Sequence, residues 1–134
     1  MSITGGCHCG TLRFIAASDP VECGYCHCLI CQRTTGAAVL IFNTFKTSDF
    51  RYEKGVPTVY PSSHHGTREL CDRCGTQIAY RPKENTEFID VNSGAHDDPE
   101  QLSPQYHIWF ENRLPWLNID DNLPRYPREK PELV

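Results

Sequence analysis

Apolar residues in this chain gather in short runs, and most runs alternate with polar positions. The stretches TLRFIAA (11–17), AAVLIF (37–42), TVY (58–60), QIAYR (77–81), EFIDV (87–91) and HIWF (107–110) are rich in β-branched and aromatic residues. Runs of this length and composition predict strands, so the fold class is mainly β. Two short helices are expected. One covers 29–35 and is closed by Gly36; the other starts in DDPEQL, with Asp98 as its cap and Pro99 at its first position. Prolines multiply after Pro115, and PREKPELV has little to bury. Residues 1–126 are therefore expected to form a single domain, with 127–134 as a C-terminal tail.

Composition changes this picture in one respect. The chain has 134 residues, 39% of them hydrophobic, with ten prolines, nine glycines and eight cysteines. A loop-rich domain with so modest a core is expected to need cross-links. The start MSITGGCHCG is not a basic stretch followed by an apolar one, and no run approaches the length of a membrane span. A cytoplasmic protein without membrane contact is the expectation, and in a reducing compartment closely spaced cysteines are metal ligands more often than disulfides. The formal charge of −4 gives no general attraction to nucleic acid.

The cysteines fall into three groups. Cys7 and Cys9 lie in C-H-C-G, and Cys71 and Cys74 in C-D-R-C-G. Each pair is followed by a glycine that lets the chain turn sharply around a metal. Together they offer four thiolates from two distant segments, the pattern of a closed, structural zinc site. A redox role for the 71/74 pair lacks the strand-to-helix setting that such motifs use.

The third group is CGYCHCLIC, residues 23–31, with four cysteines in nine residues. Cys26, Cys28 and Cys31 acting alone leave a zinc ion one open position for water or a substrate thiolate, as a catalytic site requires. If Cys23 joins them, the site is closed. The first case predicts an enzyme; the second predicts a non-catalytic zinc-binding module for a protein partner.

These motifs resemble those of the glutathione-dependent formaldehyde-activating enzymes and their relatives, the family of centromere protein V. The resemblance rests on C-x-C-G at 7–10, C-H-C-x-x-C at 26–31 with TGA at 35–37, and C-x-x-C-G-T at 71–76. It extends through DDP at 97–99, HIW at 107–109 and RLPW at 113–116, from about Gly5 to Tyr126. It implies a β-tent fold of two twisted antiparallel sheets with zinc knuckles and one or two short helices. It also implies two zinc ions: a structural one on Cys7, Cys9, Cys71 and Cys74, and a catalytic one on Cys26, Cys28 and Cys31. Cys23 lies outside the family pattern. The implied activity is that of a carbon–sulfur lyase whose partners are a small thiol such as glutathione and an aldehyde, formaldehyde, giving S-(hydroxymethyl)glutathione.

The remaining chemistry-bearing residues have plainer expectations. His8 and His27 sit inside C-x-C turns, where side chains project away from the metal. His64 and His65 belong to a polar loop, His107 to the core or pocket edge, and Trp109, Phe110 and Trp116 to the core or pocket wall. Arg33 and Arg68 are candidate carboxylate anchors, with surface charge as the plainer reading.

Overall fold

The computed structural model describes residues 2–131. Its strands are β1 (Ile3–Gly6), β2 (Arg13–Ala16), β3 (Glu22–Cys26), β4 (Leu40–Lys46), β5 (Phe50–Lys54), β6 (Thr58–Ser63), β7 (Gly66–Leu70), β8 (Gln77–Pro82), β9 (Phe88–Asn92) and β10 (His107–Ile108). One sheet has the order β1-β2-β5 and the other β10-β3-β4-β9-β8-β7-β6. Every pairing is antiparallel except β10 with β3. This is the mainly β, two-sheet architecture the sequence predicts.

The expected first helix is present as α1 (Leu29–Thr35), capped by Cys28 and ended by Gly36 in the left-handed conformation. The second is a single 3-10 turn, Pro99–Gln101, and Asp98 makes no side-chain cap bond to it. At the other end of the sheet, Trp109 takes φ 54 and stops β10 after two residues, short of the expected 107–110 run. Within the expected tail, 127–129 are exposed, and backbone bonds tie the segment to the fold: the Trp109 and Glu111 amides donate to the Arg128 and Pro127 carbonyls. The rest of that tail, 132–134, lies outside the described residues.

Strand alternation decides what each face of the larger sheet does. Phe45 of β4, Ile78 of β8 and Ile89 and Val91 of β9 point toward the smaller sheet, where they meet Leu12, Phe14, Ala16 and Phe50. Phe14 and Phe50 pack with ring centres 5.2 Å apart. Each buried Phe, Leu, Ile or Val among them contributes about 1.5–3 kcal/mol, so this inter-sheet layer is the principal core. The opposite face carries a smaller cluster of Cys26, Phe42, Tyr106 and Ile108. That face holds the candidate site.

One core residue makes stability depend on pH. His96 is 5% exposed, sets its ring edge-on to Phe14, and neither ring nitrogen has a hydrogen-bond partner among the described residues. Burial lowers its pKa to about 4. Because the folded value lies below the unfolded one near 6.5, the neutral ring's contribution is complete above that pH. It is lost as the pH falls toward 4, by up to about 3 kcal/mol. Melting curves between pH 7 and 4.5 should therefore fall more steeply for the wild type than for His96→Leu. Parallel curves would contradict this account.

Candidate metal centres and the cavity beside them

The first cysteine group is assembled by two knuckles of nearly the same construction. Cys7 follows β1 and Cys71 follows β7, and in each knuckle the next glycine is left-handed, Gly10 at φ 82 and Gly75 at φ 79. The Gly10 amide donates to the Cys7 carbonyl at 3.1 Å, and the Gly75 amide to Cys71 at 2.8 Å. A threonine then faces sulfur: Thr11 lies 3.0 Å from Cys9 Sγ and Thr76 lies 3.2 Å from Cys74 Sγ. Hydrogen bonds from these threonines draw the thiols of Cys9 and Cys74 down, that of Cys74 to about 5. The repeated C-G-T at 9–11 and 74–76 is the sequence signal for this pair of donors.

The four sulfurs converge within 4.8 Å of one another, with Cys7 to Cys9 at 3.6 Å and Cys9 to Cys71 at 3.7 Å. A tetrahedral zinc ion with sulfurs at about 2.3 Å holds neighbouring sulfurs about 3.8 Å apart. The set fits that ion.

The second group is built where β3 runs into α1. Cys26 is the last strand residue, Cys28 is the helix cap and Cys31 lies in the first turn. Positions three apart on a helix are neighbours, so Cys28 and Cys31 come together; the Cys31 amide donates to Cys28 Sγ at 3.2 Å. Cys31 Sγ lies 3.3 Å from Cys26 Sγ. Hydrogen bonds from Cys26 and Cys31 draw the Cys28 thiol strongly down, while the same contacts push that of Cys26 up. Three sulfurs this close cannot all ionise without a cation among them, so the donor set suits a soft divalent metal.

Cys23 does not join this group. It is three residues from Cys26 on one strand, so the two side chains leave opposite faces of the sheet. Cys23 is buried beside Asn43, its cross-strand neighbour on β4, and burial raises its pKa. The closed-site alternative loses its geometric basis.

His27 also turns away from the sulfurs. Its Nε2 lies 2.8 Å from Nδ1 of His107, whose Nε2 lies 2.9 Å from the Asp121 carboxylate. Tyr25 stacks on His107, and Phe110 meets the His27 ring edge-on. Gln32 of α1 donates to the carbonyls of His27 and Asn112. This buried chain ties the segment carrying Cys26 and Cys28 to residues 107–121. It was not legible in the motif spacing.

The three sulfurs line a cavity of about 750 Å³. Its walls are largely apolar, with Leu29, Ile30, Leu40, Phe42, Ile108 and Trp109 among them. Its floor is a polar row that strand register sets side by side: Glu22, Thr44, Asp90, Tyr80 and Arg68, on β3, β4, β9, β8 and β7. Thr44 donates to Asp90 at 2.6 Å, and Tyr106 donates to Glu22 at 2.7 Å. Burial pushes the Asp90 carboxyl up to about 6 and raises the Tyr80 hydroxyl. Asp90 and Tyr80 were not singled out in the sequence, although the alternation in EFIDV already sets Asp90 on the face opposite Ile89 and Val91.

The other anticipated residues separate clearly. His8 and Arg33 are exposed, His64 and His65 lie in the β6–β7 turn with His65 at the cavity, and Trp109 lines it. Trp116 is 70% exposed and is no part of a core, contrary to expectation, because it lies beyond the last strand in a segment with little to pack against. Arg68, by contrast, is buried at the cavity.

Comparison with known proteins agrees with this construction. A Halomonas elongata protein named "Putative glutathione-dependent formaldehyde-activating enzyme" is 26% identical over 129 residues, covering 90% of this chain and 82% of that protein. The crystal structure of a Rhodobacter sphaeroides protein shares the fold with a TM-score of 0.59 at 21% identity, covering 92% of this chain and 98% of that one. The family profile described as glutathione-dependent formaldehyde-activating enzyme matches residues 2–112. Because that profile covers most of the chain, the chain belongs to the glutathione-dependent formaldehyde-activating enzyme family.

Proposed function

We propose that the protein is a zinc-dependent carbon–sulfur lyase that joins glutathione to formaldehyde, giving S-(hydroxymethyl)glutathione. One observation carries the reading: three cysteine sulfurs converge beside a cavity, and the only nearby fourth cysteine in sequence points through the opposite face of the sheet. In this reading Cys26, Cys28 and Cys31 hold the catalytic zinc, and Cys7, Cys9, Cys71 and Cys74 hold a structural one. A zinc ion bound at the three-cysteine centre supplies a Lewis acid that keeps a thiol sulfur ionised at neutral pH. The cytoplasm, where glutathione is kept reduced, is the fitting compartment.

The chain's own residues account for the rest of the chemistry. The apolar walls exclude water and hold thiol and aldehyde together. As the carbon–sulfur bond forms, the carbonyl π bond opens and leaves charge on oxygen, and the proton lost by the thiol must finally reach that oxygen. Asp90 and Tyr80 on the cavity floor are the groups suited to carry it, because burial keeps each one's proton-bearing form accessible near neutral pH. The reading is tested by the rate of adduct formation from glutathione and formaldehyde in the wild type and in Cys28→Ser.

A further inference from the structure

Three buried side chains among the described residues carry a formal charge at neutral pH: Glu22, Arg68 and Glu69. Two are neutralised within the protein. Glu69 pairs with Arg81 and accepts from Tyr52 at 2.8 Å, while Glu22 accepts from Tyr106 and lies 3.5 Å from Lys130 Nζ. Arg68 differs from both. It is 9% exposed, and no carboxylate among the described residues comes within ion-pair reach of it. It donates to the Ser62 hydroxyl at 3.0 Å, and its guanidinium lies 4.7 Å from the centre of the Tyr80 ring.

A buried guanidinium without a carboxylate partner is costly, because the loss of its hydration is repaid only by an anion at contact distance. The surroundings indicate where that anion comes from. Strand alternation points Glu69 toward the smaller sheet and Tyr52, and points Arg68 into the cavity that the three cysteines line. Gln77 of β8 donates to the Thr34 carbonyl, so the helix carrying Cys28 and Cys31 is anchored over the start of the strand that also carries Tyr80. Tyr80 lies three residues farther along, about 10 Å on a strand, and its cross-strand neighbour is Arg68. A chain of two or three residues spans about 7–10 Å. Cys28, Cys31, Tyr80 and Arg68 line the same cavity, so a thiol peptide of that length with its sulfur at the cysteines shares the cavity with Arg68.

We propose that Arg68 is the carboxylate subsite of this cavity: it selects thiols that carry a carboxylate at peptide length from sulfur, gripping it through two parallel N–H donors while Tyr80 and Ser62 hold the guanidinium in place. The subsite rests on the proposed thiol–aldehyde reading, and its test separates the two. Calorimetry with S-methylglutathione, whose blocked sulfur forms no thiolate, measures carboxylate recognition without turnover. Its affinity should fall roughly 30-fold or more in Arg68→Gln and recover in part in Arg68→Lys. In adduct formation, Arg68→Gln should raise KM for glutathione by a similar factor and leave KM for 2-mercaptoethanol, which has no carboxylate, unchanged.

Unchanged S-methylglutathione affinity in a folded Arg68→Gln that retains its metals would overturn the subsite. So would an equal loss with both thiols, which would mean that the guanidinium serves only to offset charge on the cysteine centre. If the wild type binds S-methylglutathione in an Arg68-dependent way but forms no adduct, the subsite stands and the lyase reading falls.

Discussion

Cys71→Ser is expected to cost the protein its fold at or near room temperature. Cys71 is 1% exposed, and its sulfur faces Cys9 across 62 residues of sequence at 3.7 Å. Zinc held at such a site stabilises only the folded chain, by an amount that can reach about 10–16 kcal/mol, against a net stability for a whole domain of about 5–15 kcal/mol. Losing one of four thiolates forfeits much of that binding and leaves a hydroxyl in a place built for sulfur. A deficit of only about 5 kcal/mol would lower Tm by roughly 15–20 °C in a chain of this size. The knuckles explain why: one follows β1 of the smaller sheet and the other follows β7 of the larger, so an ion held between them would fasten the two layers at their rim. Thermal melting of the purified variant checks the prediction, and a Tm within a few degrees of the wild type would contradict it.

Cys28→Ser should have the opposite profile, with activity lost and fold kept. Cys28 caps α1 by accepting the Cys31 amide, and serine is among the best residues for that position, so the helix start survives the exchange. What goes is one of three sulfurs, and with it the centre's hold on its metal. The rate of adduct formation should fall at least about 10³-fold, as expected when preorganised stabilisation of developing charge is removed. Bound zinc should drop from two ions per chain to one, while Tm moves by only a few degrees. Retained activity would refute the catalytic assignment. A collapse like that of Cys71→Ser would instead make the second centre a structural one.

The two cysteine clusters were legible in advance because ligand-like sets of this kind leave a short-range signature. Both members of each knuckle lie within a few residues of one another, and the glycine that follows must adopt a positive φ, so spacing and composition together mark the site. Helix α1 was legible for the same reason, since its cap and its terminating glycine are local. The strands that escaped notice are β1, β3, β5 and β7, and their sequences explain it. β1 is ITGG, and a Cβ on Gly5 would come within 2.4 Å of the Phe14 ring, so packing there depends on a missing side chain. β3 hides inside a cysteine motif, while β7 buries Arg68 and Glu69, which a hydrophobicity pattern counts as exposed.

The cavity was the least legible part. Glu22, Thr44, Asp90, Tyr80 and Arg68 are brought abreast by cross-strand register alone, which no local pattern encodes. Cys23 shows the same limit in reverse. In sequence it is as near to Cys26 as Cys28 is to Cys31, and only its place on a strand sends it to the other face.

In the proposed function, the second centre presents three protein sulfurs and accepts a fourth from substrate. X-ray absorption at the zinc edge, before and after addition of glutathione, tests it most directly. With four sulfurs at one ion and three at the other, the mean should begin near about 3.5 sulfurs per zinc at about 2.3 Å and rise to about 4 when the thiol binds. A value already at four without glutathione, and unchanged by it, would mean that the second centre is closed.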